Sequence, residues 1–306
     1  MRAPPRQLLR LIRPGQWIKN VVVFAPAFFS LWNAAAPNSW IAVGRRYYEL
    51  LAVFAAFCLW SSAVYVLNDL VDAPRDRLHP RKRLRPVASG AVTPREAGCL
   101  LALLLALGGA FLISLPTAAC HVLAAYLAMQ VAYTFALKRA PGLDVACIAA
   151  GFAMRAIAGG RAAGVALSPW LLACTFLLAL FLALCKRRQE KASLGDAASA
   201  GTRPSLARLP LHSLDLAADV TAGALLVVYA AYTQATATVA NFGSRGLIFT
   251  LPFVTLGLMR YLRLVRRRDE GERPEQTLLT DPPLLATILL FGLAVALVFR
   301  FRAVLP

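Results

Sequence analysis

Charge is scarce in this chain, and acidic charge most of all. Only 16% of its 306 residues are charged, and 15 Asp+Glu face 33 Lys+Arg, a formal net charge of +18. Soluble domains carry about 25% charged residues and roughly 45–50% apolar ones, whereas this chain is 59% hydrophobic. That balance excludes a disordered acidic tail and a coiled coil. Histidine is also rare, at three residues, and the six cysteines (Cys58, Cys99, Cys120, Cys147, Cys174 and Cys185) stand singly. No CxxC or Cys/His cluster occurs, so neither a zinc site nor a secreted disulfide scaffold is indicated. The lone cysteines read as small buried apolar residues. A Gly-rich nucleotide loop and a Ser-His-Asp spacing are missing too. What is left is an integral membrane protein whose charge is confined to its loops.

A bilayer core about 30 Å thick takes about 20 apolar residues per helical crossing. Such stretches lie at 20–36, 48–68, 97–115, 118–137, 143–164, 169–185, 218–240, 246–265 and 283–300. They predict an all-α polytopic fold of nine transmembrane helices, with 1–306 forming a single domain in the bilayer. Joints as short as Pro116-Thr117 and Arg139-Ala140-Pro141-Gly142 suit antiparallel neighbours. The basic residues alternate in step with these spans. Of the 33, 26 fall in the N-terminal lead and the second, fourth, sixth and eighth loops, with Arg260 and Arg263 at the end of the eighth span counted with its loop. The positive-inside rule places that side in the cytoplasm and the C-terminus outside. An eight- or ten-span count would scramble the alternation. Residues 21–32, followed by Ala34-Ala35-Ala36, mimic a signal peptide, but the basic lead up to Asn20 is long for an n-region. The segment is therefore read as the first span. Topology and anionic lipid explain the basic excess, so no nucleic acid is implied.

Most carboxylates are dispersed, and the exception is Asn68-Asp69-Leu70-Val71-Asp72-Ala73-Pro74-Arg75-Asp76 at the end of the second span. Asn68, Asp72 and Asp76 recur every four residues, which stacks three oxygen ligands on one helical face. Pro74 removes a backbone donor and disfavours helix at Ala73, so a kink or turn is expected to place Asp76. Carboxylates packed this closely repel unless a cation intervenes. Hard oxygen ligands suit Mg²⁺, which takes one or two carboxylates and fills its shell with water and phosphate oxygens. The bland alternative is a solvated acidic helix end. Just downstream, His79-Pro80-Arg81-Lys82-Arg83-Leu84-Arg85-Pro86-Val87-Ala88-Ser89-Gly90 sets four cations within five residues. A metal cluster beside such a run is what a pyrophosphate-bearing substrate requires.

The N-D-x-x-D-x-x-x-D run, with H-P-x-K-R-x-R-P-V-A-S-G after it, resembles the first signature of the UbiA superfamily of intramembrane prenyltransferases. The resemblance is densest over residues 13–20, 65–90 and 133–160. It implies nine transmembrane helices around a central lipid-accessible cavity, with Mg²⁺ and a diphosphate held at the cytoplasmic mouth. Quinone- and haem-type members carry a second Asp-rich motif after the sixth span. Here that place is taken by Leu184-Cys185-Lys186-Arg187-Arg188-Gln189-Glu190-Lys191, without paired aspartates. Together with Arg13-Pro14-Gly15-Gln16-Trp17-Ile18-Lys19-Asn20, the Tyr133…Leu137-Lys138…Asp144 stretch and Gly151-Phe152…Arg155-Ala156-Ile157-Ala158-Gly159-Gly160, it resembles the phosphoribosyl-transferring branch. That branch implies phosphoribosyl pyrophosphate as donor and a polyprenyl phosphate, such as decaprenyl phosphate, as acceptor. It also implies a bacterial inner-membrane enzyme acting in cell-envelope glycan synthesis.

On this reading Asp72 and Asp76 are the catalytic carboxylates and, with Asn68 and Asp69, hold Mg²⁺. Lys82, Arg83 and Arg85 grip donor phosphates. Lys19, Lys138, Lys186 and Arg187 are the candidates for the 5-phosphate or the lipid phosphate, and Asn20 and Asp144 join them as substrate-binding residues. Arg155, about three turns into the fifth span, is either a substrate contact or a structural cation, since intramembrane charge faces a cavity or a partner. It lies eleven residues after Asp144, so both can share a face. The small-residue series Gly151, Ala156, Gly159, Gly160 and Gly164 lets that helix approach its neighbours closely. Two rivals stay open: an aromatic prenyltransferase using a polyprenyl diphosphate, and a non-catalytic transport or lipid-binding protein. A homo-oligomer is compatible with the sequence and not specified by it.

Overall fold

The structure, a computed structural model, describes residues 4–31, 46–78, 82–202 (the backbone alone from 194), 209–267, 277 and 280–301. Every regular element among them is helical. Helix α1 (Pro5–Ile12) passes through Arg13 into a 3-10 segment, Pro14–Phe24, and then α2 (Ala25–Ser30). There follow α3 (Tyr47–Asp76), α4 (Pro94–Ala110), α5 (Thr117–Phe135), α6 (Leu143–Ala163), α7 (Pro169–Thr202) and α8 (Leu211–Gln234). Helices α9 (Thr236–Phe242), α10 (Leu251–Arg267) and α11 (Pro282–Arg300) complete the order.

Among the described residues, eight stretches, built on α3 to α8, α10 and α11, are long and apolar enough to cross a membrane. They coincide with the second to ninth expected spans, and the chain is a multi-pass membrane protein. The expected first span begins in the 3-10 segment and α2, and its last residues, 32–36, lie outside the described residues. Exposed side chains on these helices are of a kind that water does not tolerate in bulk. Leu103, Leu107, Val131, Val227, Leu256 and Leu293 all face outward, as lipid contact requires.

Helix α3 is the central strut. It packs against α1, the 3-10 segment, α4, α5 and α6. At the end that carries the acidic run, Leu11, Val66, Val87, Val92 and Leu104 form one apolar cluster. Val23, Val53, Phe57, Leu123 and Ala158 form another deeper in the bundle. A third joins Val145 of α6 to Phe181, Leu214, Leu225 and Tyr261 in the second half of the chain. Because α6 feeds both of the last two clusters, it couples the two halves of the bundle.

The glycines of α6 make that coupling possible. A Cβ on Gly159 would lie 1.8 Å from the Val23 carbonyl oxygen, and one on Gly160 would lie 2.3 Å from a Leu167 methyl. The predicted small-residue face is thus where the 3-10 backbone presses on α6. Pro74 differs from expectation. Helix α3 runs through it to Asp76, since a proline in the last turn forfeits one hydrogen bond while burial of α3 holds the register. Asp76 is therefore placed within the helix and not by a turn after it. All six cysteines are free thiols.

Candidate active site

Five short pieces of chain meet at the charged end of the bundle. The first is the last two turns of α3. Asp69 and Asp76 are seven residues apart, two helical turns, and so share a face. Both are buried, at 1% and 5% exposure. The second piece is the basic loop after α3. Val87, Ala88 and Val92 are buried, Gly90 takes a left-handed turn (φ 79°), and a Thr93–Glu96 capping box starts α4. Anchored this way, the loop folds back on α3, and Arg77 Nε donates to Ala88 O at 3.3 Å. The result brings Arg85 Nη1 to 2.7 Å from Asp76 Oδ2 and 3.3 Å from Asp69 Oδ1.

The third piece is the α1 exit. Arg13 has a φ of 56°, the only left-handed non-glycine among the described residues. Its Nη2 donates to Asp69 Oδ1 at 2.6 Å, and its guanidinium lies 4.9 Å from the Tyr65 ring centroid. Trp17 Nε1 donates to Ser62 Oγ, which in turn donates to Ile12 O, tying this segment to α3. Asp69 Oδ2 is buried with no hydrogen-bond partner among the described residues.

The fourth piece is the 3-10 turn Leu137–Arg139, which presents Lys138 Nζ to Asp72 Oδ1 at 2.6 Å. The left-handed Gly142 (φ 84°) then starts α6, whose first turn holds Asp144. The fifth is α7. Arg187, buried, donates to Asp144 Oδ2 at 2.8 Å and to Glu190 Oε2 at 2.9 Å. Lys82 Nζ reaches Glu190 Oε1 at 3.3 Å, so the basic loop is bound to α7 across 108 residues. A cavity of about 220 Å³ adjoins the Asp144–Arg187 pair between α6, α7 and α8, with Gly142, Leu184, Ser213 and Leu214 on its wall.

The predicted residues thus divide. Asp69, Asp72, Asp76, Lys82, Arg85, Lys138, Asp144 and Arg187 are brought together through ion pairs. Asn68 and Lys186 are half-buried nearby on the same helices, and Arg83 is exposed. The Lys19 ammonium donates to Gln16 Oε1 within its own segment. Arg155 lies elsewhere. Its Nε donates to Asn20 Oδ1 at 2.7 Å, Nη1 to Gly151 O at 2.8 Å and Nη2 to Tyr126 Oη at 2.9 Å. The rings of Phe57, Tyr126 and Phe152 surround it at 4.9–5.4 Å. Asp144 and Arg155 therefore have separate partners. Arg13 and Glu190 were not among the predicted site residues. Asp69 and Asp76 sharing a face was a usable signal, but nothing local marks which cation meets them.

Chemically, each carboxylate here is matched by a cation that a phosphate would also bind. Among the described residues no three Asp, Glu, His or Cys side chains converge as a metal cluster. The oxygen donors come instead as separate carboxylates on one helix.

The chain matches the model of the UbiA prenyltransferase family over residues 23–280. It is 34% identical over 287 residues to the decaprenyl-phosphate phosphoribosyltransferase of Corynebacterium glutamicum, covering 92% of this chain and 84% of that protein. The decaprenyl-phosphate phosphoribosyltransferase of Mycobacterium tuberculosis is 35% identical over 310 residues, covering 96% and 97%. In fold, the chain is similar to a UbiA homologue from Archaeoglobus fulgidus solved bound to GPP and Mg²⁺. The TM-score is 0.66 at 18% identity, over 97% of this chain and 98% of that one.

Proposed function

This chain belongs to the UbiA prenyltransferase family, and from that premise we propose that it transfers a 5-phosphoribosyl group from phosphoribosyl pyrophosphate to a polyprenyl phosphate of the decaprenyl type, releasing pyrophosphate. Two relatives named for this transfer, similar over nearly the whole chain, support the reading. The observation that carries it in the geometry is Arg187. It is a buried cation seated between Asp144 and Glu190, at the place where a second Asp-rich motif would otherwise stand. A site with one acidic and one basic half suits a substrate pair bearing more phosphate than a single allylic diphosphate.

In the reaction, a phosphate oxygen of the lipid forms a bond to ribose C1. The bond from C1 to the pyrophosphate oxygen breaks, and its electron pair leaves with pyrophosphate. The lipid phosphate is already an anion, so no general base is needed. Positive charge develops at C1, as in glycosyl transfer, and holding the two reactants in line supplies much of the acceleration. Arg85, Lys82 and Arg83 serve the donor's phosphates. Lys138, Lys186, Arg187 and Lys19 serve the 5-phosphate and the lipid phosphate.

The residues present also fit a divalent cation. Asp69, Asp72, Asp76 and Asn68 are hard oxygen donors, and the buried Asp69 Oδ2, which has no hydrogen-bond partner among the described residues, would otherwise cost about 1–3 kcal/mol. Mg²⁺, when bound there, neutralises charge on the leaving pyrophosphate. The charged end faces the cytoplasm of a bacterial inner membrane on this reading, which the distribution of basic residues supports. The product is a lipid-linked pentose precursor for envelope glycans.

Purified protein given Mg²⁺, phosphoribosyl pyrophosphate and decaprenyl phosphate is expected to yield pyrophosphate and a lipid-linked phosphoribose, read by mass. Absence of that product, with prenylation of an aromatic acid from a polyprenyl diphosphate instead, overturns the reading. If neither product forms, the case for catalysis falls in favour of a lipid-binding or transport role.

A further inference from the structure

Asp69 and Arg13 form the most asymmetric pair in the site. The Asp69 side chain is 1% exposed, whereas that of Arg13 is 29% exposed. Asp69 Oδ1 accepts from both Arg13 and Arg85, and its other oxygen has no partner among the described residues. Arg85 is anchored a second time, at 2.7 Å from Asp76. Arg13 has no second carboxylate among the described residues. What it has is the face of Tyr65, which holds a guanidinium without neutralising it.

The backbone at Arg13 is also held against preference. A left-handed residue at the end of a helix is usually glycine, and Gly15 stands two positions away. Placing the arginine itself in that conformation stores local strain of the kind that persists when surrounding structure demands it.

These pairings set a rule for ligands. A divalent cation binding Asp69 must compete with a guanidinium already there. A diphosphate binding that guanidinium must compete with a buried carboxylate. Either ligand alone leaves an opposite charge stranded in a region of low dielectric, where an unpaired charge is most costly. Both together exchange one set of pairs for another. We propose that Arg13 is an exchangeable counter-ion, a positioning residue that couples divalent-cation binding at Asp69 to diphosphate binding beside it. Such coupling is reciprocal: each ligand tightens the other by the same factor. The inference rests on reading this site as one for metal and diphosphate, and not on the identity of the sugar or the acceptor.

The test uses the full-length chain in detergent, its melting temperature followed against free Mg²⁺ alone, pyrophosphate alone and both. In the unaltered protein, saturating Mg²⁺ is expected to lower the half-saturating pyrophosphate concentration roughly tenfold. Arg13→Gln is expected to take up Mg²⁺ alone at several-fold lower concentration, because Asp69 loses a competitor, and to lose most of the coupling. Arg13→Lys, which keeps the charge, restores part of it. A merely structural Arg13 would lower the melting temperature and leave both half-saturation points where they were, which overturns the proposal. So does weaker Mg²⁺ binding in Arg13→Gln. Should that variant fail to fold, Asp69→Asn tests the same exchange from the other side. Pyrophosphate alone should then bind more tightly, with coupling lost, and unchanged coupling overturns the proposal. No turnover enters these measurements, so they decide the coupling even where phosphoribosyl transfer fails.

Discussion

Lys138 Nζ and Asp72 Oδ1 meet at 2.6 Å across 66 residues of chain. The contact joins the end of α3 to the turn between α5 and α6, and Lys138 is 9% exposed despite its charge. A single 3-10 turn, Leu137–Arg139, delivers the ammonium. The acidic end of α3 is therefore divided, with Asp69 and Asp76 held by arginines and Asp72 by a lysine on another helix pair.

Asp72→Asn and Lys138→Gln are each expected to lower kcat/KM about 100- to 1000-fold, the usual loss when one charge that stabilises a transition state is removed. The double variant is expected to lose much less than the product of the two, because the groups act as a unit. Steady-state rates at saturating Mg²⁺ provide the check. Full turnover by Asp72→Asn would remove Asp72 from the metal set.

Arg155→Leu is expected to cost stability rather than donor affinity. It strands the Asn20 and Tyr126 side chains, each at about 1–3 kcal/mol. Arg155→Lys should not rescue it, since a single ammonium does not reproduce a planar fork with donors to three groups. Unfolding in detergent measures the loss. A tenfold rise in donor KM with unchanged stability would instead make Arg155 a substrate contact.

The second to ninth spans were legible because length and apolarity are local properties, and the alternation of basic loops gave an independent argument for their order. The acidic run and the cations after it were legible for the same reason. Their pairings were not. Arg13 with Asp69, Lys82 with Glu190 and Lys138 with Asp72 are separated by 56, 108 and 66 residues, and only helix packing decides them. Pro74 misled for a related reason. Its local preference against helix is small beside the burial that fixes α3 on five neighbouring elements. Arg155 was recognisable as an oddity from sequence, while its aromatic surroundings depend on Phe57 and Tyr126 arriving from two other helices.

Two glycine substitutions should part company. Gly159→Ala forces a methyl into the Val23 carbonyl, at 1.8 Å, and is expected to destabilise by about 1–3 kcal/mol or more. Gly223→Ala meets nothing within 4 Å in the middle of α8 and is expected to stabilise by about 0.5–1 kcal/mol through helix propensity. Paired thermal melts test both. Equal effects would mean that the 3-10 segment does not press on α6 as described.

Glu190 stands between two basic groups of the charged end, with Oε1 accepting from Lys82 and Oε2 from Arg187. Replacing it with glutamine keeps the size and removes the charge. Arg187 stays in place through Asp144, so folding should be retained. Lys82 and Arg187 each lose a competitor for phosphate, and pyrophosphate should then inhibit Glu190→Gln at about fivefold lower concentration. That factor corresponds to about 1 kcal/mol, the upper end for a partly exposed ion pair. Tighter product also means slower release, so kcat should fall while the donor KM does not rise. Product-inhibition kinetics give both numbers. An unchanged or weaker inhibition constant would show that Glu190 fixes the geometry of these cations and does not hold them back from phosphate.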